Sequence, residues 1–319
     1  MKDCIKISCL ALMVLLLASC SPDPVTGYEF MMDTQCSITV YERGDEAFID
    51  GTFQFVRQLA SRLDRYDESS EIFRINAMAG MEPVKVTGQV FELISRARDL
   101  CEGTDGLFNI LMGNISDLWG FTSAEPHVPS DEELAELTAA ADISNLVLNE
   151  EEQTVYIADE KASLDLGAIA KGYASQAAAD YLRSQGVEKA VINFGGNVYC
   201  IGTRPDSSPW RVGIQNPDTE YGGYFTTVEV SDCAVVTSGG YQRYFIQDGV
   251  RYHHILDPAT GRPADSALAS VSIICEDGAL ADALSTACFV AGADKAEELC
   301  RKFGVSALLL TQSGEVIRI

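Results

Sequence analysis

Two of the three histidines in this 319-residue sequence stand side by side, in Tyr252-His253-His254-Ile255-Leu256-Asp257-Pro258-Ala259-Thr260-Gly261. Asp257-Pro258 and Gly261 set a tight loop there. A histidine in such a loop can serve as a general base near neutral pH, or it can simply bond to backbone. A second segment runs from Asp277 to Ala287 and is rich in Ala. On a helix Asp282 and Thr286 share a face, and an unpaired carboxylate among small apolar residues is costly. A carboxylate, a hydroxyl and a nearby carbonyl are hard oxygen ligands that suit Mg²⁺ carrying a phosphate. The plainer alternative is a solvated helix face. A third segment, Leu164-Asp165-Leu166-Gly167-Ala168-Ile169-Ala170-Lys171-Gly172, puts an acid in apolar company and two glycines where a helix begins. The glycines allow close backbone approach, and a helix N-terminus offers free N–H groups to a phosphate. Asp165 could equally be a helix cap. A fourth, Asn193-Phe194-Gly195-Gly196-Asn197, follows a strand and is either a ligand cradle or a turn.

Charge narrows what these segments could bind. Lys and Arg number 23 against 47 Asp and Glu, for a net charge of −24. A chain this acidic repels phosphate backbones and is a poor partner for nucleic acid. Any anionic ligand must be held by a local cation, a metal or backbone N–H groups. The sequence has no phosphate-binding G-x-x-x-x-G-K-[ST], no dinucleotide G-x-G-x-x-G after a strand, no G-x-S-x-G and no H-E-x-x-H. Seven cysteines beyond Cys20 are scattered, with no C-x-x-C among them. An odd, dispersed set inside apolar runs reads as buried thiols rather than a disulfide framework or zinc site.

The elements that must position these residues mix strand runs with helix runs, which favours an α+β fold over regular β-α-β winding. Helical spacing marks 48–63, 88–101, 168–183, 278–290 and 293–303. Ser130 and Glu133 form a capping box for a helix through about Ala140. Strands are expected near 36–41, 146–148, 154–157, 190–193, 198–201, 210–214, 225–230, 233–237, 243–247, 268–274, 305–310 and 316–319.

The first twenty residues are read apart from the fold. Lys2 and Lys6 precede an apolar run from Cys9 to Ala18, too short to span a bilayer. The run ends in Leu17-Ala18-Ser19-Cys20, then Ser21-Pro22-Asp23-Pro24. This resembles a bacterial lipoprotein signal, with Cys20 as the lipidated N-terminus. An ordinary signal peptide with an incidental cysteine is the alternative. The expected organisation is a signal at 1–19, a lipidated cysteine and tether at 20–27, and one domain over 28–319. Export would remove Lys2, Asp3 and Lys6, taking the net charge from −24 to −25. The mature chain would face the periplasm or cell exterior from a bacterial membrane.

The segments together resemble the ApbE family of FAD:protein FMN transferases. The resemblance starts at Met32-Asp33-Thr34 and runs through Leu63-Asp64-Arg65-Tyr66 and Ser70-Glu71-Ile72-Phe73-Arg74-Ile75-Asn76. It continues through Gly106-Leu107-Phe108-Asn109, Leu118-Trp119-Gly120-Phe121, the Asp165 segment and Gly195-Gly196. Trp210-Arg211-Val212-Gly213-Ile214-Gln215, Thr237-Ser238-Gly239-Gly240-Tyr241 and the His254 and Asp282 segments complete it. It implies a single α+β, T-fold-related domain of two intimately packed lobes with FAD between them. The implied reaction is Mg²⁺-dependent transfer of the FMN half of FAD to a Thr or Ser hydroxyl of an acceptor flavoprotein subunit, with AMP leaving. Acceptors in the family belong to membrane electron-transport complexes.

By the same resemblance His254 matches the catalytic histidine. Met32, Tyr66, Leu107, Phe108, Asn109, Asp165, Lys171 and Ile255 match FAD-contacting positions. The carbonyl of Ala168, with Asp282 and Thr286, matches the metal position. Asp33 stands where the family often has Gly, and Asn109 where it usually has Asp. The remaining alternatives are a Mg²⁺-dependent FAD pyrophosphatase and a lipid-anchored flavin-binding protein without turnover.

Overall fold

A computed structural model describes residues 23–41, 46–217 and 223–319. The expected signal segment and Cys20 lie outside the described residues.

Strands with period-two apolar patterning build one eight-stranded sheet. It comprises Val25–Met31, Thr34–Val40, Ala190–Phe194, Asn197–Ile201, Cys233–Gly239, Leu268–Cys275, Ser306–Thr311 and Val316–Arg318, and their spatial order is their chain order. All neighbouring pairs are antiparallel. Alternate residues go to opposite faces. Ala234, Val236, Val271, Ile273 and Leu309 join the main core. The helices Glu46–Leu63, Ala170–Ser184 and Gly278–Ala291 pack on this side. Cys200, Val235 and Leu308 point the other way and pack beneath Trp210, Ile214, Val228 and Val230 of the hairpin Trp210–Gln215/Tyr224–Val230.

Between the second and third strands the chain makes a long excursion. It carries a three-stranded sheet of Val84–Lys85, Thr154–Ile157 and Leu146–Asn149, with helices Glu71–Ala77, Gly88–Gly103, Gly113–Trp119 and Asp131–Ala140 around it. Ile94, Trp119 and Val155 from this part belong to the same buried cluster as Ile38 and Leu309 from the large sheet. One continuous core therefore joins the two parts. The Ser130–Glu133 capping box is formed in both directions. The seven cysteines among the described residues are free, five of them buried.

Several boundaries differ from the sequence expectation. Val25 already pairs with Val40, so the fold starts inside the segment expected to be tether, ahead of Tyr28. Helices Glu71–Ala77 and Gly113–Trp119 have only seven residues each, too short to display a period. The helix expected from Ala168 begins at Ala170, because Gly172 directs its N–H away from the Ala168 carbonyl.

Candidate active site

The excursion and the large sheet enclose a cleft of about 1160 Å³, beyond the roughly 300–1,000 Å³ usual for small-molecule pockets. His254, Met32, Tyr66, Leu107, Phe108, Asn109, Asp165, Lys171, Ile255, Ala168, Asp282 and Thr286 all line it. Residues up to 254 positions apart in the chain thus meet in one place.

Asp282 owes its position to a helix crossing. A Cβ on Gly172 would lie 2.1 Å from the Gly278 carbonyl oxygen and 2.6 Å from Asp282 Cβ. Only two glycines let the helices Ala170–Ser184 and Gly278–Ala291 approach this closely. The close approach expected of Gly172 is therefore made to another helix, not to a ligand. It brings the Gly172 N–H to Asp282 Oδ2 at 2.8 Å. Asn197, the residue after the Gly195-Gly196 turn, donates to the same oxygen at 3.1 Å. Both glycines of that turn have positive φ, +63° and +93°, and Asn197 is 2% exposed. The fourth segment is thus a turn whose last residue orients the carboxylate.

Asp282 is 4% exposed. Burial pushes its pKa up, against the Lys171 charge and hydrogen bonds from Gly172, Asn197 and the Lys171 backbone. The Gly172 and Asn197 donors both reach Oδ2, and the Lys171 backbone N–H also bonds the carboxylate. Ser285 Oγ donates to the Asp282 carbonyl at 2.8 Å, which leaves Ser285 as acceptor for the Ser238 hydroxyl at 2.7 Å. Ser238 Oγ lies 3.3 Å from Thr286 Oγ1. The Ala168 carbonyl accepts no hydrogen bond among the described residues. No cluster of three His, Cys, Asp or Glu side chains able to hold a metal occurs among the described residues. An ion here would rest on one carboxylate with hydroxyl and carbonyl oxygens, which suits a hard cation. Lys171, in the first turn of its helix, reaches the Gly167 carbonyl at 3.2 Å and keeps further donors free.

His254 follows the two-stranded hairpin Tyr244–Gln247/Val250–His253. Its Nδ1 lies 3.1 Å from the Arg243 carbonyl oxygen. A carbonyl only accepts, so Nδ1 carries the proton and Nε2 holds a free lone pair. Burial pushes the imidazole pKa down to about 4, the Arg243 carbonyl opposing and Lys171 reinforcing the shift. The ring is neutral at pH 7. His253 turns the opposite way along the strand. It bonds the Ala264 carbonyl at 3.1 Å, stands edge-on to Phe289 and does not line the cleft.

The remaining predicted positions divide by what they present. Tyr66 is 65% exposed and is held by its hydroxyl to Asp117 at 2.8 Å. Its pKa is pushed up to about 12, mainly by burial of the hydroxyl. Beneath it, Arg65 grips Asp117 through both terminal nitrogens at 2.8 Å and approaches Asp165 at 3.9 Å. Asp165 does not cap the helix; its Oδ1 accepts from Gly167 N–H at 2.8 Å and closes a turn. Phe108 is 1% exposed, so it offers the cleft backbone rather than ring. Asn109 spends both ends of its amide on the protein, donating to the Ala141 carbonyl and accepting from Leu111 N–H, each at 2.8 Å. One lone pair of its Oδ1 remains open on this cleft-lining side chain. Asp33 has a left-handed backbone, φ +55°, the region that favours Gly, and faces Arg243 at 3.9 Å.

Sequence reasoning missed Arg65, Asn197, Ser238 and Gly278. Each acts on a partner distant in the chain, and none carries a local signature of that partnership. Other resembling segments prove structural. Asn76 pins the Leu164 backbone at both N–H and carbonyl. Trp119 Nε1 bonds the Gly261 carbonyl at 2.7 Å and so fixes the loop after His254.

The ApbE family profile matches residues 32–309. A FAD:protein FMN transferase of Treponema pallidum is 35% identical over 300 residues, covering 88% of this chain and 83% of that protein. One from Klebsiella pneumoniae is 35% identical over 274 residues, with 86% and 85% covered. The crystal structure of the ApbE protein of Thermotoga maritima superposes with a TM-score of 0.86 at 34% identity, over 93% of this chain and 97% of that one. The flavin transferase ApbE of Vibrio cholerae gives 0.83 at 29% identity, over 93% and 97%. With the profile spanning nearly the whole described fold, and relatives this similar along most of their length, the chain belongs to the ApbE family.

Proposed function

We propose that the protein transfers the FMN half of FAD to a Thr or Ser hydroxyl of an acceptor flavoprotein, releasing AMP. The observation that carries this reading is the meeting of a neutral imidazole with a free Nε2 and a buried, firmly held carboxylate on one cleft. Relatives named FAD:protein FMN transferase support it.

In this reading Met32, Tyr66, Leu107 and Ile255 enclose the flavin and adenine ends, and Phe108 contributes backbone. Arg65 holds Tyr66 and Asp165 in place. Lys171 faces the pyrophosphate and offsets part of its charge in an acidic protein. His254 Nε2 takes the proton of the acceptor hydroxyl as its oxygen bonds to the FMN-side phosphorus. The bond from that phosphorus to the bridging oxygen breaks, and AMP departs with that oxygen. Asp282, Thr286 and the Ala168 carbonyl fit Mg²⁺, because a buried acid stands there with a hydroxyl and a carbonyl that accepts no hydrogen bond among the described residues. When bound, the ion supplies charge stabilisation to the pyrophosphate as AMP leaves. The protein's own part is to fix Asp282 through Gly172 and Asn197.

The lipoprotein-like start supports export and anchoring through Cys20 to a bacterial membrane, facing the periplasm or exterior. The acceptor would be a subunit of a membrane electron-transport complex. Incubation with FAD, Mg²⁺ and a purified acceptor domain tests the function. Covalent FMN on the acceptor is expected. Free FMN with AMP would mean a pyrophosphatase, and unchanged FAD a binder.

A further inference from the structure

Tyr28 and Phe30 are 67% and 75% exposed, and Phe30 is the most exposed large hydrophobic residue among those described. Both lie on the first strand, Val25–Met31, an edge of the large sheet. Their alternates turn inward: Met31 is buried, and Glu29 is tied to Arg57 of the helix Glu46–Leu63 at 2.9 Å. The outward set is Thr26, Tyr28 and Phe30 with their cross-strand partners Thr39, Ser37 and Gln35. None of these six carries a charge, in a chain that is 22% charged. Packing inside the protein explains the inward residues and leaves the two aromatic rings unexplained.

We propose that this uncharged aromatic face rests on the bilayer surface, with Tyr28 and Phe30 at headgroup depth. The proposal rests on the reading of Cys20 as the lipid anchor. Val25 follows Cys20 by five residues, a reach of at most about 18 Å at 3.3–3.6 Å per residue. A lipidated Cys20 therefore brings this strand, before any other part of the fold, to the membrane. Aromatic rings favour the membrane–water interface, and a face without charges avoids the cost of desolvating them. The strand ends at the Met32–Thr34 turn, which lines the cleft. Docking would hold the cleft at a fixed height and orientation above the bilayer, where a membrane-bound acceptor presents its hydroxyl.

The test uses the exported mature chain mixed with phosphatidylcholine vesicles, with Phe30→Trp as reporter. The two native tryptophans, Trp119 and Trp210, are 0% and 5% exposed, so their background is constant. Brominated lipid is expected to quench the introduced indole at least twofold relative to unbrominated vesicles. Unchanged transfer to a soluble acceptor domain shows that the variant is folded. Protein that floats with the vesicles yet shows no added quenching overturns the docking while leaving the anchor intact. Protein that does not float overturns the anchor reading and the docking with it. An indole that responds only to added acceptor domain assigns the face to protein contact and overturns the proposal.

Discussion

Asp282 and His254 reach the same cleft from supports of opposite kind. Asp282 stands on a helix locked to its neighbour by backbone contact, where a single added carbon at Gly172 would fall 2.1 Å from a carbonyl oxygen. His254 follows a two-stranded hairpin whose Tyr244, Ile246 and Val250 are 42%, 63% and 50% exposed, and its ring is oriented by one bond to the Arg243 carbonyl. The contrast matches the two tasks proposed for them. Charge on a pyrophosphate is best met by a site that cannot relax. A base that must receive the hydroxyl of another protein has to stand where that protein can arrive.

The largest effect is expected at His254. His254→Ala should lower flavin transfer by roughly 10²–10⁴-fold, the range for a lost general base, with little change in FAD affinity. His253→Ala should cost far less, because its ring faces Phe289 and the Ala264 carbonyl. A reversed ranking would move the base to the other side of the strand. The pH profile sharpens the same point. An imidazole with its pKa lowered to about 4 is protonated, and lost as a base, only as pH falls through that value. The acidic limb of kcat/KM should lie near pH 4, well below the ordinary histidine value of about 6.5.

Asp282→Ala comes next. It should reduce turnover by roughly 10²–10³-fold, the scale for a lost electrostatic stabiliser of the transition state, and abolish the response to added Mg²⁺. FAD binding should fall much less, since the proposed contacts to the flavin and adenine ends lie elsewhere. Wild-type activity resistant to chelation would contradict the role given to this carboxylate.

How far the sequence reveals the two supports differs in the same way. The helices on either side of Gly172 and Gly278 are visible as periodic apolar runs. The alternation at 190–201 gives the strands, and the Ser130–Glu133 box gives a helix start. Asp282 and Thr286 stand out because a carboxylate among alanines is costly. Their interlock is invisible, because Gly172 and Asp282 are 110 residues apart and meet only through folding. Asn197 likewise looks like part of a turn until its amide is placed on Asp282, 85 residues away. On the other side, the polar strand Val250–His253 lacks the apolar alternation that marks a strand. Its partner holds it in place, so only the histidine pair drew notice. The strand that carries Tyr28 and Phe30 is not legible, because its first residues lie in the stretch read as tether, 20–27, where Pro22, Pro24 and Gly27 hide the alternation.

A smaller, structural effect tests the interlock itself. Gly172→Ala should destabilise the fold by about 1–3 kcal/mol, the usual cost of overpacking, and denaturant unfolding would measure it. An unaffected midpoint would mean that the helices can part without cost. The smallest effect is expected at Asn109. Asn109→Asp and Asn109→Ala both lose the donor to the Ala141 carbonyl, worth about 0.5–1.5 kcal/mol of stability. Each should shift FAD affinity by less than about tenfold, or 1.4 kcal/mol. A strong loss for Ala with none for Asp would establish a direct contact between this side chain and the ligand.

The most direct measurement follows both products of one reaction. With FAD, Mg²⁺ and an acceptor domain, the wild type should release one AMP for each acceptor molecule gaining covalent FMN by mass spectrometry. His254→Ala should suppress both together. AMP release that continues without flavin on the acceptor, or flavin transfer undiminished in His254→Ala, would contradict the assignment of His254 as the base that activates the acceptor hydroxyl.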